Sequence, residues 1–274
     1  MILATALLWS AGGTFVKVLT LEKFGYQMDP RAVACLRSAA AGLFLAWALP
    51  RLRGAPRWRA AASGLAYTVV VGSFVVATAW TSAANAIFLQ YAYPLFVAVG
   101  AVVLFHERLG RRTQVALALG LAGVAVILVF SWSADDWAGL LWGLTSSVTF
   151  AALALLQHSI KRGSPIALCS LYNLTAAALM LPLAWGHLGA PPAAYLLVAT
   201  MGILQLGVPY VLFIAGMRRV RATDGALITL VEPILNPVWV WLIVGEPTGR
   251  ATLVGGAFIL VALVVRFVGL RRRP

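Results

Sequence analysis

Glu232 and Pro233 lie near the middle of an apolar run, residues 222–244. An ionised carboxylate in such a run is costly unless it is paired, solvated or protonated. Its available chemistry is to bind a proton, to bind a cationic group of a solute, or to pair with an internal Lys or Arg. Bonding to nearby backbone beside Pro233 is the structural alternative. Proline supplies no N–H, so Pro94 removes the helical donor of the Gln90 carbonyl, Pro233 that of Thr229 and Pro237 that of Pro233. At membrane depth such carbonyls persist where protein or a water-lined cavity satisfies them. Gln90, Tyr91 and Tyr93 precede Pro94, and Asn236 follows Pro233. Gln205 and Tyr210 share another apolar run, and Tyr172 and Asn173 a third. These polar groups either line a path at the proline-broken helices or make helix–helix hydrogen bonds of about 0.6–2 kcal/mol.

Lys17 and Arg37 also fall inside apolar runs. Each can snorkel to a surface. Lys17 could instead neutralise Glu232 or attract a carboxylate, whereas Arg37 reads as structural. Trp9 and Trp142 either line a cavity or pack. The expected pathway set is therefore Glu232, Gln90, Tyr91, Pro94, Pro233, Asn236, Trp9, Lys17, Trp142 and Gln205. Glu107 and Glu246 stand beside glycine at helix ends, where they are expected to cap the helices that follow; a gating salt bridge is the secondary reading.

These residues need a scaffold, and the composition supplies one. Of 274 residues, 62% are hydrophobic and 11% charged, with a mean hydropathy of +0.92. Soluble domains are about 45–50% apolar and about 25% charged. A cytosolic enzyme, a disordered chain and a disulfide-stapled domain are excluded. Cys35 and Cys169 lie in apolar runs without metal-ligand spacing and read as packing residues. No basic region precedes the first apolar run, so it is expected to be a span rather than a cleaved signal, with residues missing upstream as an option. Ten runs reach the roughly 20 residues a bilayer core requires: 1–21, 30–49, 60–80, 84–105, 112–131, 137–157, 165–185, 193–217, 222–244 and 250–269. The connections are short, and Gly, Pro, Ser and Asp punctuate them. The fold class is all-α and polytopic. Gly120-x-x-Gly123 and Gly139-x-x-x-Gly143 are expected to mark close helix contacts.

The basic residues set the orientation. With the N-terminus in the cytoplasm, fifteen of the 21 Lys and Arg fall in cytoplasmic loops and the tail: Arg51, Arg53, Arg57 and Arg59, then Arg108, Arg111 and Arg112, then Lys161 and Arg162, then Arg218, Arg219 and Arg221, then Arg271 to Arg273. Lys23, Arg31 and Arg250 fall outside, together with most of the acidic loop residues. The net charge of +13 is thus a topology signal, and no nucleic-acid partner is expected. The expected partners are the lipid bilayer, a small-molecule solute and, as one option, protons, with the chain a monomer or a homodimer.

The chain repeats itself. At a constant offset of 139 residues Pro94 meets Pro233, Glu107 meets Glu246, Gly110 meets Gly249, Arg111 meets Arg250 and Thr113 meets Thr252. Leu7-Leu8-Trp9 also resembles Leu140-Leu141-Trp142. Two halves, 1–133 and 134–274, would each hold five spans. An odd number forces the second half to enter the membrane upside down, the inverted-repeat design that supports alternating access.

Several of these features together resemble the drug/metabolite transporter superfamily, in its EamA branch. They are Trp9 with Lys17 in the first span, Arg37 in the second, Tyr93-Pro94 with Glu107, and Glu232-Pro233 with Gly245-Glu246. The usual Trp-Gly of the first span reads Trp9-Ser10 here. The resemblance covers nearly the whole chain. It implies ten helices in two inverted five-helix repeats, a central pathway, and export of small metabolites, amino acids or related compounds, or drugs; the charge distribution puts both termini inside. Uptake by the same fold is the alternative. A membrane-embedded enzyme would need a nucleophile or metal site. His106, His158 and His187 are far apart, with no His-Glu-x-x-His and no Gly-x-Ser-x-Gly. A structural or sensory protein would need more loop surface. No phosphate-binding loop is present, so no cofactor is expected and a gradient would drive transport. Arg exceeds Lys and Ala is abundant, which suggests a bacterial inner membrane.

Overall fold

The computed structural model describes residues 1–52, 54, 56–106, 109–133, 136–158, 160, 162–217, 219–220 and 222–270. Among them every regular element is helical. The chain runs α1 (Ile2–Ser10), α2 (Gly12–Thr20), α3 (Pro30–Phe44), α4 (Arg57–Trp80), α5 (Ala83–Tyr91), α6 (Tyr93–Phe105) and α7 (Arg111–Phe130). It continues through α8 (Trp137–His158), α9 (Pro165–Ala184), α10 (Pro192–Thr200), α11 (Val208–Met217), α12 (Ala222–Thr229), α13 (Val231–Val244) and α14 (Arg250–Leu270). Nine helical stretches among the described residues are long and apolar enough to span a bilayer. The second expected span differs: α3 and the short helix Ala46–Leu52 meet at 68°. Fifteen helical residues rise only about 22 Å, short of a core of about 30 Å. Counted as one span, the bent pair completes ten.

Pro94 and Pro233 follow helix breaks, as their positions in the sequence suggest, whereas Pro237 lies inside α13 without ending it. The fourth span restarts after Ala92 and the ninth after Leu230. At both joints a tight turn replaces the α-helical bond: Ala92 N–H donates to the Leu89 carbonyl at 3.1 Å and Leu230 N–H to that of Leu227 at 3.2 Å. The two joints fall within one residue of the repeat offset. The eighth span differs from the continuous helix expected. Between α10 and α11, Met201–Gly207 is a π-helix. Pro209 removes the helical donor of the Gln205 carbonyl and so favours the wider turn.

Small residues let the helices close up. Gly123 on α7 and Gly255 on α14 face each other: a Cβ on Gly123 would lie 2.5 Å from the Gly255 carbonyl oxygen and 2.9 Å from Phe258 Cβ. Gly139 on α8 meets the Trp80–Thr81 backbone, and Gly143 meets Leu89, so these glycines serve contacts within the chain. Gly123→Val is therefore expected to cost about 1–3 kcal/mol by overpacking against backbone that cannot yield. A thermal scan of the purified protein, reading a fall of several degrees in Tm, checks it. Ser10, at the departure from Trp-Gly, has a defined place: its hydroxyl accepts from Trp239 Nε1 at 2.9 Å and donates to the Leu7 carbonyl at 2.7 Å.

The two ends of the bundle differ. At one end the Arg51 carbonyl accepts from Ser164 N–H at 3.2 Å, and Arg51, Arg57, Arg162 and Arg219 are exposed. Arg53, Arg108, Lys161, Arg218, Arg221 and Arg271 to Arg273 lie outside the described residues, as does Glu107. At the other end Asp29 caps α3, accepting from Arg31 N–H at 2.8 Å and from its guanidinium at 2.8 and 2.9 Å. The bond from Arg31 holds the Asp29 carboxyl below its usual range. Trp132 and Trp137 are both exposed near this end, as an interfacial belt requires. Cys35 and Cys169 are free and buried.

Candidate functional site

The proline joints of the fourth and ninth spans, the π-turn of the eighth, the C-terminal end of α1 and the middle of α3 border one cavity of about 310 Å³. Of the expected pathway residues, Trp9, Gln90, Tyr91, Gln205 and Glu232 line it. Glu232 Oε2 accepts from the Tyr91 hydroxyl at 2.6 Å. The same hydroxyl lies 3.2 Å from the Thr229 carbonyl oxygen, the group whose helical donor Pro233 removes. The equivalent carbonyl of the fourth span, Gln90 O, lies 3.4 Å from Ser147 Oγ. Side chains from other spans thus reach both carbonyls that the proline joints release. Gln90 Nε2 donates to Ser146 Oγ at 2.8 Å, and the Pro94 carbonyl accepts from Arg266 of α14.

The cavity also carries a cation. Arg37 is 2% exposed and lines the same cavity. Its guanidinium donates to the Val71 carbonyl at 3.3 Å and sits 6.0 Å from the Phe74 ring centroid. Its Nε has no hydrogen-bond partner among the described residues, and no described carboxylate forms an ion pair with it. Aromatic rings fill the remaining wall. Trp9 meets Tyr210 edge-on at 5.5 Å and Phe213 at 5.3 Å, and Tyr93 stacks on Phe150 at 4.2 Å. Gln157, the exposed lining residue, lies near the C-terminal end of α8, so the cavity reaches toward the arginine-rich end.

Other expected residues lie elsewhere. Lys17 is buried and bonded at the far end, 2.7 Å from Glu246 Oε2 and 2.8 Å from the Thr81 carbonyl. Glu246 Oε1 accepts from Ala83 N–H at 2.8 Å. It therefore caps α5, rather than the helix that follows it. Trp142 is 40% exposed on α8 and does not line the cavity. Asn236 is fully buried against Gly13, where a Cβ would lie 2.5 Å from its Oδ1. Its amide has no protein hydrogen-bond partner among the described residues. Asn173 makes the helix–helix bond expected of such groups, accepting from Tyr67 at 3.0 Å. Arg37, which the sequence reads as structural, lines the cavity; it is one of few cations inside a span, beside no acidic neighbour.

The sequence pattern of the EamA-like transporter family matches residues 1–129 and again 137–268. An uncharacterised transporter of Archaeoglobus fulgidus is 30% identical over 72% of this chain and 72% of its own length. An uncharacterised protein of Pseudomonas aeruginosa is 28% identical over 86% and 85%. One solved structure, described only as that of a protein, superposes with a TM-score of 0.66 over 98% of this chain and 96% of its own. Its identity is 20%, so the likeness speaks for the fold alone.

Proposed function

This chain belongs to the EamA-like transporter family, and from that premise we propose that it exports small zwitterionic metabolites, amino acids and their relatives, by alternating access. It is a multi-pass membrane protein that transports a small solute. The finer reading rests on one observation: an aromatic-lined cavity of about 310 Å³ holds a carboxylate, Glu232, and a separate buried guanidinium, Arg37. That volume lies at the low end of small-molecule sites. A solute with both an ammonium and a carboxylate satisfies both groups, and its rings or methylenes pack on Trp9, Tyr210 and Phe213. The positive-inside rule puts the arginine-rich end in the cytoplasm, so the cavity is loaded from there. In this reading the halves are inverted repeats with both termini inside, in a bacterial inner membrane, and Glu232 carries a proton or the solute ammonium.

A resistance and efflux screen tests this. The protein is expressed in a sensitive bacterial host challenged with toxic amino-acid analogues, nucleoside analogues and cationic drugs. Protection against amino-acid analogues, with less accumulation inside, is the expected result. Protection confined to another class would overturn the substrate, and uptake in place of efflux would overturn the direction. Arg37→Gln is expected to weaken transport of carboxylate-bearing solutes by about 10-fold or more while affecting an amine lacking the carboxylate less. Equal losses for both would assign Arg37 to structure.

A further inference from the structure

The Tyr91 hydroxyl has one proton and two acceptors. Glu232 Oε2 lies 2.6 Å away and the Thr229 carbonyl oxygen 3.2 Å away. While Glu232 is ionised, the charge-assisted bond keeps the proton on the carboxylate side. Once Glu232 is protonated, its own O–H can donate to the Tyr91 oxygen, and the phenolic proton is released toward Thr229. We propose that Tyr91 is a positioning residue of the transport cycle, whose hydroxyl reports the state of Glu232 to the joint of the ninth span by moving one hydrogen bond between Glu232 and the Thr229 carbonyl.

The placement supports this. Tyr91 stands at the end of α5, one residue before the joint of the fourth span, and its target stands at the end of α12, one residue before the joint of the ninth. A single hydrogen bond therefore ties the two broken spans to each other and to the cavity. A phenol has one proton to give, so its short bond goes to one acceptor at a time and the other contact is the longer, weaker one; exchanging the two gives the pair of states that a two-state element requires. Other ionisable groups facing the cavity are Arg37 on α3, Tyr67 on α4, Tyr93 on α6 and Tyr210 on α11. Lys17 on α2, held by Glu246, and Asp224 on α12 stand on helices packed against α13. Arg266 on α14 is engaged by Pro94. The inference rests on the reading of this cavity as the transport pathway.

The test uses the whole protein in lipid nanodiscs with no solute added, so an error about substrate or direction leaves it unaffected. Spin labels at positions 162 and 219, both exposed at the arginine-rich end, report the spacing of the sixth and eighth spans in a background without the two cysteines. In the otherwise native protein the distance distribution is expected to shift between acidic and basic pH. Glu232→Gln is expected to lose the shift, and so is Tyr91→Phe, although its carboxylate is intact. Pro233→Ala restores an N–H to the Thr229 carbonyl and makes the relay redundant. Adding Tyr91→Phe to it should change nothing further, a non-additivity that a packing defect would not produce. A pH-independent native distribution, a Tyr91→Phe protein that shifts like the native one, or effects of the two substitutions that simply add would each overturn the proposal. Should Tyr91→Phe fail to fold, loss of the shift in Pro233→Ala carries the test, and a native-like shift there overturns it.

Discussion

Glu232→Gln reduces transport by about 30-fold or more while leaving the fold intact. The expected loss comes from removing one member of a desolvated, hydrogen-bonded charge contact, worth about 2–5 kcal/mol, which at 1.4 kcal/mol per decade is roughly 30-fold to several thousand-fold. Stability should move the other way or not at all. No described cation forms an ion pair with Glu232, so a neutral isostere loses no attraction of that kind and sheds a desolvation cost. Gln still presents an oxygen to the Tyr91 hydroxyl at the position of Oε2. The pairing of undiminished Tm with lost flux separates a functional carboxylate from a structural one. Initial rates of efflux from loaded cells, with Tm of the purified variant alongside, measure both. Lost Tm with proportionately lost flux would reassign Glu232 to structure, and retained flux would remove it from the pathway.

Glu232 was legible in the sequence because it violates its surroundings: an acid beside a proline in a long apolar run has few benign explanations. The spans were legible for the same reason inverted, since a run of about 20 apolar residues has one economical environment. Both proline joints followed from covalent chemistry, and the side chains that answer them, Tyr91 and Ser147, lie within the distance expected of such partners. What the sequence could not decide was the fate of a lone charge inside a span. Arg37 and Lys17 look alike from their neighbours, yet one faces the cavity and the other is bonded at an end. The difference is set by partners remote in the chain: Lys17 meets Glu246, 229 residues later, while the Arg37 guanidinium reaches the Val71 carbonyl of α4 and its backbone carbonyl lies against Gly202 of the π-turn. The π-turn is itself a local choice between two hydrogen-bond patterns around Pro209, and it brings Gln205 to the cavity wall. No periodicity of apolar residues announces it.

The Lys17–Glu246 contact makes a second large prediction, because it is a junction rather than a surface pair. Lys17 Nζ is bound at 2.7 Å by Glu246 and at 2.8 Å by the Thr81 carbonyl, and the other oxygen of Glu246 caps α5 at Ala83. The side chains are 7% and 22% exposed. Four segments therefore meet at one ion pair: the first span, the end of the third, the start of the fourth and the turn after the ninth. Next to it Thr252 of α14 donates to Asn85 of α5 at 2.6 Å, and Lys23 donates to the Val244 carbonyl. This cluster closes the end of the bundle opposite the one toward which the cavity reaches. Lys17→Met leaves a partly buried carboxylate without its cation, and Glu246→Gln leaves a buried ammonium without its anion. Breaking such a pair from one side costs about 3–5 kcal/mol, which for a chain of this size is an expected fall in Tm of roughly 6–20 °C. The double variant should cost less than the two single losses added, since it strands no charge. In an alternating-access carrier the same weakening lowers the barrier to opening at this end. A cysteine introduced at position 85, buried beside the junction, should then react faster with a membrane-impermeant thiol reagent added from outside the cell. Faster labelling in both single variants, with the smallest loss of stability per change in the double, identifies the pair as the latch of the outer end. Lost stability without any gain in labelling would show that the junction holds the fold and does not gate it.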